Sequence, residues 1–108
     1  MRPFFLLEAL DYQLEEEVPG ASEILSMTPS EYFRRQIYAC FWFERKGLGP
    51  ALDALGSDNL MFESDFPHPT CLYPEPVGYV AGALAKLSPE VRRKVMCTNA
   101  AKVYSLPI

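Results

Sequence analysis

Two apolar runs joined by one helix-length crossover constrain this sequence more than any other feature in it. Residues 36–43 carry Ile37, Tyr38, Ala39, Cys40, Phe41, Trp42 and Phe43 with hardly a polar side chain on either face. A strand with one wet face alternates apolar and polar residues, so this run predicts a strand covered on both sides. Residues 59–64 form a second, shorter run around Leu60, Met61 and Phe62. Between them, residues 49–56 read as a short helix, opened by Pro50 and stopped by Gly56. Strand, helix, strand with a crossover of this length is a parallel β-α-β unit. Two parallel strands leave two open edges, and wholly parallel sheets otherwise have more strands and helices on both faces. The pattern predicts α/β architecture and part of a larger sheet.

The flanking segments read as helices. Residues 3–17 place Leu6, Leu10 and Leu14 at i, i+4 and i+8 with Leu7 beside them, which predicts one apolar face. Residues 20–30 read as a loop that ends in a helix start, with Thr28 as cap and Pro29 in the first turn. Residues 66–76 hold four of the ten prolines and predict a stiff loop after the second strand. Residues 77–87 read as a helix, and Ser88-Pro89-Glu90 opens another that leads into Val91, Val95 and Met96. Residues 99–106 add a last helical turn.

Composition narrows the function classes. At 108 residues, 49% hydrophobic and 22% charged, the chain has globular usage and room for one domain, residues 1–108. A net charge of −4 with only small basic clusters disfavours nucleic acid as a partner. No apolar stretch approaches the roughly 20 residues of a membrane span, so no membrane is expected. The apolar start at residues 4–7 is broken by Glu8 and shows no small-residue cleavage site, which argues against a secretory signal. Cys40, Cys71 and Cys97 have no paired spacing. Cys40 and Cys97 read as small buried hydrophobes, and reduced thiols predict a cytoplasmic protein.

The chemistry-bearing constellation is Ser64-Asp65-Phe66-Pro67-His68-Pro69. Asp65 leaves the carboxyl end of the second strand, where α/β sheets and barrels build their sites. His68, the only histidine, follows three residues later. Such a pair can ligate a divalent metal or act as base and partner. An Asp leaving a strand also makes Asx turns, and a lone loop histidine is often only a turn residue. On spacing alone both readings stand. Glu63 is a strand residue of undetermined facing, and Tyr38, Phe41, Trp42 and Phe43 read as core.

Residues 60–69 (Leu60 through Ser64-Asp65-Phe66-Pro67-His68-Pro69), residues 89–96 and Asn99-Ala100-Ala101-Lys102-Val103-Tyr104 together resemble the closing section of the amidohydrolase-related metal-dependent hydrolases. The likeness is to the branch that includes aminocarboxymuconate-semialdehyde-decarboxylase-like enzymes, and it extends over residues 29–38 and 3–12. The resemblance implies a (β/α)8 TIM barrel of about 250 residues or more. This chain would be its C-terminal part, two parallel strands plus flanking helices. The resemblance assigns Asp65 as metal ligand and catalytic proton acceptor for activated water, and His68 as a residue of the loop behind it. It implies a divalent metal, zinc by expectation, bound only in a complete barrel. It also implies a small-molecule substrate with an amide, ester or lactone bond, or a non-oxidative decarboxylation. Glu63 stands where the family more often has a small residue.

Two function classes follow. The chain is the C-terminal segment of a metal-dependent hydrolase, inactive alone, or it is a non-catalytic module whose strand edges are covered by homo-oligomerisation or a partner.

Overall fold

The computed structural model describes residues 3–108, so Met1 and Arg2 of the start weighed as a signal peptide lie outside the described residues. The elements are α1 (Pro3–Glu17), α2 (Ala21–Ile24), α3 (Pro29–Gln36), β1 (Ala39–Phe41), α4 (Leu48–Leu55), β2 (Leu60–Phe62), α5 (Pro76–Leu84), α6 (Pro89–Arg93), a π-type turn (Lys94–Thr98) and α7 (Asn99–Val103). β1 and β2 pair in parallel, with Ala39 opposite Leu60 and Phe41 opposite Phe62. The β-α-β unit read from the sequence is the structural centre.

Helix boundaries follow local chemistry. Thr28 Oγ1 accepts from the Glu31 N–H, and the Glu31 carboxylate accepts from the Thr28 N–H at 2.8 Å, a reciprocal cap for α3. α4 buries Leu48, Ala51 and Leu55, and it stops at Gly56, whose φ of 81° a side chain would strain. Ser88 Oγ accepts from the Val91 N–H and starts α6. α5 ends three residues earlier than the sequence pattern suggests. There the N–H groups of Lys86 and Leu87 bond back to Ala83 and Leu84 in tight turns, and Arg92 Nε donates to Leu84 O at 3.1 Å.

The core gathers around the strand pair. Phe41, Leu48, Leu60, Val80 and Val95 are fully buried. Fully burying side chains of this size contributes about 1.5–3 kcal/mol each. Phe41 and Phe62 meet edge to face, with ring centroids 5.6 Å apart. The π-type turn and α7 lie on β2.

Two buried asparagines tie helices to the strands. Asn99 Nδ2 donates to Ser57 O at 2.7 Å and Leu60 O at 2.8 Å. Asn59 Nδ2 donates to Ile37 O at 2.7 Å and Phe33 O at 3.3 Å, joining the entry of β2 to the end of α3. The first of these gives the Asn99-Ala100-Ala101 motif a structural reason.

Backbone pairing shows what the unit lacks. The Ala39 N–H donates to Asn59 O at 2.9 Å and the Glu63 N–H to Phe41 O at 3.0 Å. In parallel ladders inward-bonding residues alternate with outward ones, so Cys40, Leu60 and Phe62 turn their backbone groups to the outer edges. Among the described residues there is no third strand. The radius of gyration is 15.9 Å, against about 13 Å for a compact domain near this length. The molecule is a small α/β unit with two parallel strands and several helices, consistent with part of a barrel.

Several expectations need correction. The strands span three residues each, where residues 36–43 and 59–64 were the expected extents. Ile37 is 47% and Phe43 48% exposed, so the first run is not covered on both sides over its length. On α1, of the expected apolar face, Leu7 is buried and Leu14 half-buried, while Leu6 and Leu10 are exposed. Cys40 and Cys97 are half-buried rather than buried. The expected loop at residues 20–30 contains α2, entered through Gly20 at φ 76°. Apolar sequence reports what is destined for burial, and here much of that surface has no neighbour.

Asn99→Ala leaves two carbonyls without their donor, at a cost of about 1–3 kcal/mol for each buried group. Urea unfolding should show a loss of about 2–4 kcal/mol with an unchanged m-value. A loss below about 0.5 kcal/mol would show that the clamp does not hold α7 to β2.

Candidate active site

β2 delivers its chain end into a closed loop. Glu63 still bonds to β1, and the path then reverses at Asp65, which has a φ of 59°. Aspartate is one of the few residue types with a side chain that tolerates this left-handed conformation. The His68 N–H donates to Asp65 O at 2.8 Å, the Cys71 N–H to His68 O at 2.9 Å, and the Leu72 N–H to Ser64 O at 3.2 Å. These bonds return the loop to its start. Phe66 and Tyr73 pack across it with their rings tilted by 44° and centroids 5.4 Å apart.

The turn brings the two sequence-predicted site residues together. His68 Nδ1 lies 3.1 Å from Asp65 Oδ2. The Asp65 side chain is 29% exposed and that of His68 60%, so the carboxylate is the inner end of the pair and the ring the outer end. Thr70, which the sequence reading passed over, joins both. Its Oγ1 is 2.8 Å from His68 Nδ1 and donates to Asp65 Oδ2 at 3.4 Å. Its place follows from the closure of the loop, which folds the hydroxyl back onto the Asp–His pair.

Other acidic groups stand at the same ends of the strands. Burial pushes the Glu63 carboxyl above its ordinary value, and the charges of Asp65 and then Glu44 add to the shift. Burial likewise raises the Cys40 thiol, with a further contribution from Glu63. Glu44 Oε2 accepts from the Trp42 N–H at 3.0 Å. Arg45 places its guanidinium 4.4 Å over the Tyr79 ring. Trp42 Nε1 is buried without a hydrogen-bond partner among the described residues. Such a donor normally finds a partner in a complete core.

Asp65 is chemically suited to be one oxygen ligand of a divalent metal. The described residues contain no group of three or more His, Cys, Asp or Glu side chains placed to hold an ion. A metal needs about three or four protein ligands, so the described residues do not fit one by themselves.

A cavity of about 470 Å³ lies elsewhere, between the end of α1, α2 and the start of α3. Leu14, Val18, Leu25 and Met27 line it with Glu15 and Glu31, and Glu31 is committed to capping α3. Asp65 instead sits on an open strand end, the shape expected where further barrel walls are absent. No helix among the described residues is long and apolar enough to cross a membrane.

The family model Amidohydro_2, described as amidohydrolase, matches residues 15–106. It covers the Asp65 loop and the Asn99 motif, and it begins after the likeness noted at residues 3–12. A search of curated proteins gives no match.

The raised Glu63 carboxyl has a definite sign in stability. The folded state binds that proton more tightly than the unfolded chain, so the charged form destabilises the fold above the folded pKa. The penalty disappears as pH falls through the folded pKa toward the unfolded value. Glu63→Gln should therefore raise the urea midpoint at about pH 7, with the advantage shrinking toward about pH 4. An unchanged midpoint at the higher pH would show that burial and the neighbouring charges do not penalise the Glu63 carboxylate.

Proposed function

This chain belongs to the amidohydrolase family, and from that premise we infer that it is the C-terminal segment of a metal-dependent hydrolase. In this reading it supplies two neighbouring strands of a (β/α)8 barrel and one of the site's carboxylates. The observation that carries the reading is Asp65, at the carboxyl end of a parallel strand and held there by the loop's own hydrogen bonds.

The family generally uses divalent metals. A divalent metal, zinc in this proposal, held by Asp65 together with ligands outside this segment, would supply acidified water and polarise the substrate. The contribution of this chain is proton handling. Asp65 takes a proton from water as the water oxygen attacks the carbonyl carbon of an amide, ester or lactone, and returns it to the leaving nitrogen or oxygen as the acyl bond breaks. Its partly buried position favours that role, because a carboxylate shielded from bulk solvent interacts more strongly with the groups beside it. The related branch that removes carbon dioxide without oxidation is the alternative chemistry for the same carboxylate. A small-molecule substrate and a cytoplasmic location complete the proposal.

The test is Asp65→Asn in a complete barrel that carries this segment. Turnover should fall by about 10²–10⁴-fold, the usual contribution of a positioned acid–base group, with folding intact. Unchanged turnover and metal content would remove Asp65 from the site. The 108-residue chain alone should hydrolyse no ester or lactone and bind no stoichiometric zinc.

A further inference from the structure

The loop after β2 holds more than an Asp–His pair, and its third member decides how the histidine is presented. A carboxylate oxygen accepts hydrogen bonds and does not donate them. The 3.1 Å approach of His68 Nδ1 to Asp65 Oδ2 is therefore attractive when the ring proton sits on Nδ1. Thr70 Oγ1 lies still closer to Nδ1, at 2.8 Å, and can accept that hydrogen bond while its own O–H donates to Asp65 Oδ2 at 3.4 Å. The competing contact, from the Thr70 N–H to Nδ1, would need an unprotonated Nδ1. It is long at 3.4 Å and lacks charge assistance.

We propose that Thr70 is a positioning residue: its hydroxyl bridges His68 Nδ1 and Asp65 Oδ2, holds the neutral imidazole as the Nδ1–H tautomer, and leaves Nε2 as an open acceptor. A neutral imidazole has one donor and one acceptor nitrogen, so fixing the first defines the second. Nε2 has no hydrogen-bond partner among the described residues, and the side chain is mostly exposed. The ligand class this favours is a small molecule carrying an O–H or N–H donor beside its reacting group. Assigning that donor to a substrate rests on the hydrolase reading. The tautomer rests only on the loop.

The tautomer can be read directly, because the chain contains a single histidine and its ring signals need no assignment. The experiment is nitrogen NMR of the ¹⁵N-labelled 108-residue protein above about pH 8, where an ordinary histidine is neutral. The wild type and Thr70→Ser should carry the proton on Nδ1. Thr70→Val should raise the share of the Nε2–H form that free neutral histidine prefers, although Asp65 Oδ2 stays 3.1 Å from Nδ1, with backbone signals outside the loop unchanged. Thr70→Ala should behave as Thr70→Val does and guards against a distortion specific to valine. A wild-type ring protonated on Nε2 would overturn the proposal, as would a valine variant with the same share of the Nδ1–H form as the wild type. Neither result depends on turnover, so failure of the hydrolase reading is separately visible in the Asp65→Asn measurement.

Discussion

A parallel strand pair satisfies only the backbone groups that face inward, and every other part of this molecule is arranged around that limit. Ala39, Phe41, Met61 and Glu63 bond across the pair, while Cys40, Leu60 and Phe62 present their groups to the outside. Side chains supply part of what a neighbouring strand would provide. Asn99 reaches Leu60 O from the final helix, and Asn59 reaches Ile37 O at the end of α3. The two amides thus tie α7 and the end of α3 to the strand β2 and the residues that enter it. The remaining outward groups and the exposed Leu6, Leu10, Ile37 and Phe43 form the surface that more of a barrel would cover.

The same constraint positions the chemistry. Because the strands are parallel, their carboxyl ends lie together, and the loops that follow bring Glu44, Glu63 and Asp65 within electrostatic reach. Glu63 carries an unfavourable charge there, while Asp65 is held by a turn with its own hydrogen-bonded partners. The left-handed backbone at Asp65 matters to this arrangement. It turns the chain at the strand end and lets His68 and Thr70 fold back over the carboxylate. A family match over residues 15–106 gives this local geometry its chemical context.

Much of this was legible in the sequence, for reasons that can be named. Helix starts at Thr28-Pro29 and Ser88-Pro89, and the stop at Gly56, depend on a few local atoms, so they appear where sequence places them. The order strand, helix, strand was equally readable, because a crossover of this length admits the parallel arrangement. Strand lengths were not, since pairing depends on neighbours that a run of apolar residues does not specify. The facing of α1 was legible only in part: of the apolar face read from Leu6, Leu7, Leu10 and Leu14, Leu7 meets this core while Leu6 and Leu10 stay exposed. At the site, the sequence pointed to Asp65 and His68. Thr70 was missed because its role arises from how the loop closes, which spacing alone did not reveal.

The central claim is that the two parallel strands leave the outward N–H groups of Cys40 and Phe62 unpaired among the described residues, consistent with part of a barrel. Amide hydrogen exchange on the monomeric 108-residue protein tests it most directly. Phe41, Met61 and Glu63 N–H groups should be protected, because they bond inside the pair, whereas those of Cys40 and Phe62 should exchange much faster. Equal protection of Cys40 and Phe62 in the monomer would contradict the account, since it would mean that the chain closes its own edges.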